Sequence, residues 1–190
     1  MDRQFINNHQ NLIDACKGGD RSAQFEIYKL YYKSMYNTSL RIVNDTGEAE
    51  DVMQESFLQA FVRLGEHSVE GTFGKWLKRI VVNNSLNRLR GKKELIPIDE
   101  TEMDIPEVVE ENLEEEIMLR VKDVKAAIRK LPEDNRVVLS LFLLEGYDFE
   151  EICEILHITN SILRLRYLRG KEKVLRILRK SGINEIFQSY

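Results

Sequence analysis

Apolar residues recur along this chain at the three- and four-residue spacings of amphipathic helices, and no segment alternates with the two-residue period of a strand. The clearest example runs from Ala49 to Leu64, where acidic and amide side chains occupy the face opposite the apolar one. Its small and apolar stripe consists of Ala49, Val52, Met53, Ser56, Phe57, Ala60, Phe61 and Leu64. The pattern predicts an all-α protein.

Turn and capping residues divide the first half of the chain into four helices. A first helix from about Asn7 to Lys17 ends at Gly18-Gly19, and Asp20 is the expected N-cap of the second. The turn at residues 44–47 precedes the third helix, and a fourth is predicted from about Phe73 to Arg90. Apolar positions of the second helix include Ala23, Phe25, Ile27, Leu30 and Tyr31.

The second half of the chain predicts a helix-turn-helix. A helical stripe formed by Val121, Val124, Ile128 and Leu131 is followed by a helix that begins at Pro132 and stops at Gly146. Asp148 is expected to cap a short helix, and residues 157–159 form a tight connection to a long basic helix from about Asn160 to Lys180. A short helix, a tight turn and a long basic helix are typical of proteins that place the second helix in a major groove.

Charge is distributed in blocks, which predicts the domain organisation. Eleven acidic residues and no basic ones lie between Glu94 and Glu116, and removing them from a net charge of −4 leaves +7. Lys75–Lys93 contains seven Lys or Arg and no acid, and Ser161–Lys180 contains eight against one acid. We expect helical domains at residues 1–91 and 117–180, an acidic flexible linker at 92–116 and a short tail at 181–190. Such basic stretches suggest two nucleic-acid-facing helices, with solvated helix faces as the alternative.

Composition excludes several classes of protein. No apolar run approaches the roughly 18–20 residues needed to cross a bilayer, and the polar N-terminus does not resemble a secretory signal, so we expect a soluble cytoplasmic protein. No phosphate-binding loop or nucleophile motif is present. Cys153 and His157, four residues apart, could supply two of the four ligands of a zinc site, but no second pair is evident. We therefore expect a buried cysteine and a solvated histidine. The sequence predicts no enzyme activity, no catalytic residue, no cofactor and no metal.

The fourth predicted helix has the residue types of a single-strand-binding surface. Asn83, Asn84 and Asn87 are poor helix-interior residues that lie beside several Lys and Arg, and asparagine can hydrogen-bond to base edges. A fraying helix end is the alternative. Trp76 shares a stripe with Phe73, so a core position is favoured over base stacking.

Motifs in both halves, taken together, resemble the extracytoplasmic-function (ECF) type of bacterial sigma factor, the promoter-recognition subunit of RNA polymerase. Region 2 of that family resembles residues 15–32, 45–61 and 73–83, which include the segment Glu48-Ala49-Glu50-Asp51-Val52-Met53-Gln54-Glu55-Ser56-Phe57. Region 4 resembles Leu131-Pro132-Glu133, Arg136, Glu145-Gly146 and Glu150-Glu151-Ile152. The resemblance covers about residues 10–91 and 120–178, and it implies a region 2-like helical bundle joined to a region 4-like helix-turn-helix.

The resemblance also implies roles for individual residues. It implies core polymerase as a partner, through the clamp helices of its largest subunit and its flap, with Asp51, Gln54 and Glu55 in contact. It implies that the loop at residues 66–72 captures a flipped base. Contacts to melted −10 DNA are implied for Lys75, Arg79, Asn83, Asn87 and Arg88, and contacts to −35 duplex for Asn160, Ser161, Arg164, Leu165, Arg166 and Arg169. The resemblance also allows an anti-sigma factor as a further binding partner of this chain.

The sequence departs from the family pattern around the −35 helix. Ile162 and Leu165 replace two usual polar contact residues, and His157 replaces the usual glycine of the turn. An exposed leucine there would pack on a thymine methyl or on protein.

Two other functions stay open at this stage. One is a two-domain helix-turn-helix regulator that binds duplex DNA without joining polymerase, and the other is a helical adaptor whose basic faces bind protein.

Overall fold

The computed structural model describes residues 3–66, 72–93 and 121–180, and all regular structure within these ranges is helical. Residues 94–116 of the expected linker, residues 67–71 of the loop and the tail at 181–190 lie outside the described residues. The all-α prediction is confirmed for the described ranges. The helices are α1 (Arg3–Lys17), α2 (Arg21–Val43), α3 (Thr46–Val62), α4 (Phe73–Lys93), α5 (Val121–Arg129), α6 (Glu133–Leu139), α7 (Phe149–Leu156) and α8 (Asn160–Lys180).

Local capping explains where α2 begins and ends and where α3 begins. The Asp20 carboxylate accepts hydrogen bonds from the Ser22 and Ala23 amides at 2.8 and 3.2 Å, as an N-cap residue should. Gly19 has a φ of +82° in the reversal that precedes it. At the next turn Asn44 adopts a left-handed conformation that ends α2, and Asp45 caps α3.

Helices α1 to α4 form one bundle around a shared apolar core. The predicted α3 stripe is confirmed: its residues are buried except for Phe61, which is half-buried, and Leu64 lies in a short 3₁₀ turn after the helix. In α2, Ala23 and Ile27 are buried but Phe25 and Leu30 are exposed, so those two apolar positions do not belong to the core. The central residues of this core are Ile13, Ile27, Met35, Met53, Phe57, Phe73, Leu77 and Val81.

Helices α5 to α8 form the second helical unit. Ile128 and Leu131 are buried as predicted, whereas Val121 is 65% exposed and lies outside the stripe. Helix α6 continues into a π-helical segment, Ser140–Glu145, which Gly146 ends with a φ of +79°. Asp148 then caps α7 in a full capping box with Glu151, as the sequence predicted for the cap.

The helix-turn-helix connection is tight, and α8 lies close against α6. His157 ends α7 in a left-handed conformation with a φ of +56°, a geometry that glycine adopts more easily. Gly170 of α8 lies against Leu139, and a Cβ there would come within 3.0 Å of the leucine. The Asn135 amide donates to the Arg166 carbonyl oxygen at 2.8 Å, so the backbone of α8 is fixed to α6.

The two helical units pack directly on each other. Ile42 of α2 and Leu86 and Leu89 of α4 share one buried cluster with second-unit residues, including Leu141 and Ile152. The three residues Ile42, Leu141 and Ile152 are completely buried. Apolar burial of this kind is the main attraction between packed surfaces. The sequence predicted two domains joined by a linker but did not predict this interface.

The capping box of α7 yields a stability prediction. Asp148→Ala removes the acceptor for the Glu151 amide, so the free energy of unfolding should fall by about 1 kcal/mol. Asp148→Asn keeps an acceptor oxygen, so the free energy of unfolding should fall much less in this variant. Urea denaturation followed by circular dichroism measures both, and equal losses in the two variants would contradict the capping role.

Candidate functional site

Four of the predicted −10 residues form an exposed row on α4. Lys75, Arg79, Asn83 and Asn87 recur every four residues and are exposed, and we call them the α4 stripe. On other faces of α4, Leu77 and Val81 are completely buried and fix the helix in the bundle. The α4 stripe therefore combines two cations with two amides, which can donate and accept hydrogen bonds, on a rigid support.

The fifth predicted −10 residue, Arg88, lies on a different face of α4. Its guanidinium contacts Glu55 at 2.9 Å and Glu48 at 3.4 Å, and it is directed toward α3 rather than along the α4 stripe. Asn84 also faces α3, because its amide donates to the Ser56 hydroxyl and the Gln59 side chain at 3.0 Å each. Three asparagines that look equivalent in sequence thus have two different roles, two exposed and one structural.

The predicted polymerase-binding residues lie together on the exposed face of α3. Asp51, Gln54 and Glu55 are all exposed, and Glu55 also pairs with Arg88. Leu58 and Val62 continue this face toward the end of α3 and are 69% and 86% exposed. The sequence analysis did not single out these two apolar residues. The sequence did contain a signal for them, because residues seven and eleven positions after Asp51 lie on the same face of a helix as Asp51.

The predicted −35 residues are arranged along the first turns of α8. Asn160, Ser161 and Arg164 are exposed, and the Asn160 side chain accepts a 2.8 Å hydrogen bond from Arg164. Leu165 and Arg169 are half-buried. Exposed cationic and polar groups at the N-terminal end of a second helix are the arrangement with which helix-turn-helix proteins contact duplex DNA.

Two residues of α8 differ from the expectation. Arg166 is half-buried and pairs with Asp134 of α6 at 3.0 Å, so in this arrangement its charge is used within the second unit. Ile162, which the sequence analysis noted only as a departure, is 43% exposed on the first turn beside Ser161. An exposed aliphatic side chain at such a place can contact a thymine methyl group.

The α4 stripe faces α7 across a groove. Arg79, Asn83 and Asn87 line one wall, and Glu154, Ile155 and His157 line the other. Arg90, one turn further on α4, donates to the Ile155 carbonyl oxygen at 3.4 Å. Toward the start of α4, the groove continues between Lys75 and Arg79 on one side and Glu151 and Glu154 on the other.

A buried carboxylate lies at the bottom of this contact. Glu145 comes from the second unit, its side chain is only 2% exposed, and its partners all come from the first. Thr38 donates to it at 3.0 Å, Lys78 lies 3.3 Å away, and Arg41 forms a close ion pair with it. We call these four residues the Glu145 cluster.

Charges around the cluster also affect a neighbouring tyrosine. Burial, together with the carboxylates of Glu145 and Glu151, raises the pKa of Tyr147 to about 12, and the nearby Arg79 opposes this shift. The phenol therefore stays neutral throughout the physiological pH range.

Burial also lowers the pKa of Arg136 in the second unit. The guanidinium of Arg136 donates to the Ile42 carbonyl oxygen at 3.1 Å, near the end of α2.

The described residues hold no group of three or more His, Cys, Asp or Glu side chains arranged for a metal ion. Cys16 is buried and Cys153 is half-buried, both as thiols. None of the helices in the described ranges has the length and apolarity required to span a bilayer.

Comparison with known families agrees with this geometry. Residues 27–94 match Sigma-70 region 2, and residues 122–174 match Sigma-70 region 4. The chain is 31% identical over 176 residues to the RNA polymerase sigma-H factor of Pseudomonas aeruginosa, covering 87% of this chain and 91% of that protein. It is 29% identical over 177 residues to the ECF RNA polymerase sigma factor SigW of Bacillus subtilis, covering 88% and 95%.

A solved structure supports the fold independently. The chain resembles the sigma factor RpoE of Bartonella quintana, solved in complex with the anti-sigma factor NepR, with a TM-score of 0.54 and 17% identity, over 81% of this chain and 95% of that one. The matches to Sigma-70 regions 2 and 4, on a helical bundle and a helix-turn-helix unit, assign the chain to the class of sigma factors. Within that class, the chain belongs to the ECF family of RNA polymerase sigma factors.

The two neighbouring asparagines of α4 allow a sharp test of the site geometry. Asn84→Ala leaves Ser56 and Gln59 without their donor, and the free energy of unfolding should fall by about 1–2 kcal/mol. Asn83→Ala removes an exposed side chain and should change it by less than about 0.5 kcal/mol. Urea denaturation measures both variants, and a larger loss for Asn83→Ala would show that the two faces have been assigned the wrong way round.

Proposed function

We propose that this chain binds core RNA polymerase and directs promoter-specific initiation of transcription, with a separate exposed face for each partner. The observation that carries the proposal is the separation of the α3 acidic face, the α4 stripe and the N-terminal turns of α8 on two packed helical units. Binding, orientation and strand capture are enough for this role. No covalent step by this chain is required, and the work takes place in the cytoplasm, where the polymerase and the chromosome are.

The exposed face of α3 is the proposed contact with core polymerase. Asp51, Gln54 and Glu55 present negative and polar groups that suit a basic helical pair such as the clamp helices of the largest subunit. Leu58 and Val62 extend the face with apolar area, which supplies affinity, whereas the charges supply orientation and speed of encounter. The second helical unit is proposed to contact the polymerase flap.

The α4 stripe is the proposed contact with melted −10 DNA. Lys75 and Arg79 would neutralise backbone phosphates, and Asn83 and Asn87 would hydrogen-bond to the edges of unstacked bases. Bases that are captured in this way offset the cost of opening the duplex. The loop at residues 66–72, most of which lies outside the described residues, remains the proposed place of base capture.

The N-terminal turns of α8 are the proposed contact with −35 duplex. Asn160, Ser161 and Arg164 are exposed where a recognition helix meets base edges and phosphates. Ile162 lies beside them and favours sites with a thymine methyl at the facing position. Leu165 and Arg169 are half-buried and are proposed to act at the margin of this contact, and Arg166 would contact DNA only after leaving Asp134.

The polymerase contact can be tested by charge reversal on α3. Asp51→Arg should weaken the affinity for core polymerase at least about tenfold, because it places a cation against a basic surface. The affinity is measured by titration of labelled chain with core polymerase, and promoter-dependent transcripts from genomic DNA should fall in parallel. Glu26→Arg, an equal charge change on exposed α2, is the control. Unchanged affinity for Asp51→Arg would remove α3 from the proposed interface.

The single-strand contact can be tested by shortening one amide. Asn83→Ala should reduce open-complex formation, measured by permanganate footprinting of the holoenzyme, while duplex binding at the −35 element is retained. The reason is that Asn83 lies on α4, whereas the proposed duplex contacts lie on α8. Asn37→Ala, which removes an exposed amide from α2, is the matched control. Equal losses of melting and of duplex binding would argue against the assignment of Asn83 to the melted strand.

A further inference from the structure

A second row of polar side chains runs along α4, one position further round the helix than the α4 stripe. It consists of Asn84, Arg88 and Lys92, which recur every four residues and therefore lie on one face of α4. Each of the three contacts a polar side chain of α3. We call these residues the α4 inner row. It faces the helix that carries the proposed polymerase contact.

The guanidinium of Arg88 joins two carboxylates of α3. Its Nη2 donates to Glu55 at 2.9 Å, and its Nη1 donates to Glu48 at 3.4 Å. Lys92 lies 3.5 Å from the other carboxylate oxygen of Glu48, so Glu48 is shared between two cations. A planar guanidinium can hold two carboxylates at a fixed angle, whereas the ammonium group of a lysine is a point charge on a flexible stem.

The exposure of these side chains indicates which of them a binding partner can reach. The Glu55 side chain is 60% exposed, but Arg88 is 30% and Glu48 is 25% exposed. The three residues line an open groove between α3 and α4, together with Gln59. A partner of the α3 face therefore meets Glu55 directly, and Arg88 supports Glu55 from the inner side.

We propose that Arg88 is a positioning residue for the polymerase contact. It holds the Glu55 carboxylate in the orientation that core polymerase binds, and it does not itself contact melted DNA. The proposal rests on the assignment of the α3 face to core polymerase. It moves Arg88 from the −10 DNA contacts that the family resemblance implies to the polymerase-binding side of the bundle.

The physical reason is the conformational entropy of a long acidic side chain. A glutamate on a helix surface samples several rotamers, and binding to a partner has to select one of them. The ion pair with Arg88 orders Glu55 before the polymerase arrives, so less entropy is lost on binding. Arg88 also lowers the negative charge of the α3 face, which by itself weakens the attraction to a basic partner. Positioning and net charge therefore have opposite effects on affinity.

The electrostatics around Arg88 agree with a place inside the acidic face. Desolvation alone would lower the pKa of Arg88, but the hydrogen bond from Arg88 to Glu55 and the charges of Glu55, Glu48 and Asp51 raise that pKa above its usual value. Three carboxylates of α3, two of them proposed polymerase contacts, thus act on one guanidinium.

The informative variant is Arg88→Gln, because it removes the ion pair and also makes the α3 face more negative. In a titration of labelled full-length chain with core polymerase, we expect about three- to tenfold weaker affinity, the loss that corresponds to ordering a free side chain on binding. Lys33→Gln, an equal charge change at an exposed α2 residue, is the control and should stay within about twofold of the unmodified chain. Tighter binding of Arg88→Gln, which net charge predicts, would overturn the proposal.

A double-mutant cycle with Glu55→Gln separates positioning from a purely structural role of Arg88. Glu55→Gln should weaken polymerase binding, and adding Arg88→Gln should cause little further loss, because the carboxylate to be positioned is gone. An equal loss from Arg88→Gln in both backgrounds would mean that Arg88 only packs α3 against α4. Arg88→Lys keeps the charge without the fork and should recover part of the affinity, and no recovery would contradict an effect through the ion pair. Circular dichroism checks the helical content of each variant.

Promoter melting tests whether Arg88 contacts DNA. At saturating core polymerase, Arg88→Gln holoenzyme should melt promoter DNA to the extent of the unmodified holoenzyme in permanganate footprinting, because the expected loss lies in assembly. Asn83→Ala is the comparison, with reduced melting even at saturation. Reduced melting by saturated Arg88→Gln holoenzyme would assign Arg88 to DNA and reject positioning.

The same titrations separate this proposal from the proposed function. Weaker binding of Glu55→Gln with unchanged binding of Arg88→Gln would reject the positioning role and keep Glu55 in the polymerase interface. Unchanged binding of Glu55→Gln would remove Glu55 from that interface, and the positioning role of Arg88 with it.

Discussion

Helix α4 presents one face to the first bundle, a second face to the second helical unit and a third face to solvent. Most of the structure follows from this division of its surface. Leu77 and Val81 face the first bundle, and Leu86 and Leu89 face the second helical unit. Four of the exposed positions, Lys75, Arg79, Asn83 and Asn87, form the α4 stripe. Because a helix offers only about 3.6 positions per turn, each neighbour receives a narrow row, and a side chain one position away belongs to a different partner. Asn83 and Asn84 illustrate this division.

The helical pattern was enough to predict the elements, because capping residues and apolar periodicity are local properties. Asp20 and Asp148 cap helices as predicted, Asp45 caps α3 within the predicted turn at residues 44–47, and the α3 stripe is buried. Contacts between distant segments could not be read in the same way. Arg88 belongs to a basic run that suggested DNA, yet its partners Glu48 and Glu55 lie 40 and 33 residues away, and only the fold brings them together.

The same limit explains why the sequence did not predict the interface between the units. The sequence analysis noted Glu145-Gly146 only as part of the resemblance to region 4. The partners of Glu145, Thr38 and Arg41, lie more than a hundred positions earlier in the chain, and no local pattern indicates them. The acidic linker suggested separate domains, and linker composition carries no information on docking. Docking in this arrangement leaves Asp51 and Leu58 of α3 exposed.

The close approach of Gly170 to Leu139, together with the bond from Asn135 to the Arg166 carbonyl oxygen, has a mechanical consequence. These contacts join α6 and α8 through the backbone, so neither helix can slide along the other without breaking them. The second unit therefore holds α8, the proposed duplex contact, as part of one rigid piece. The first turns of α8 thus keep a fixed position relative to α6, whatever partner the second unit meets.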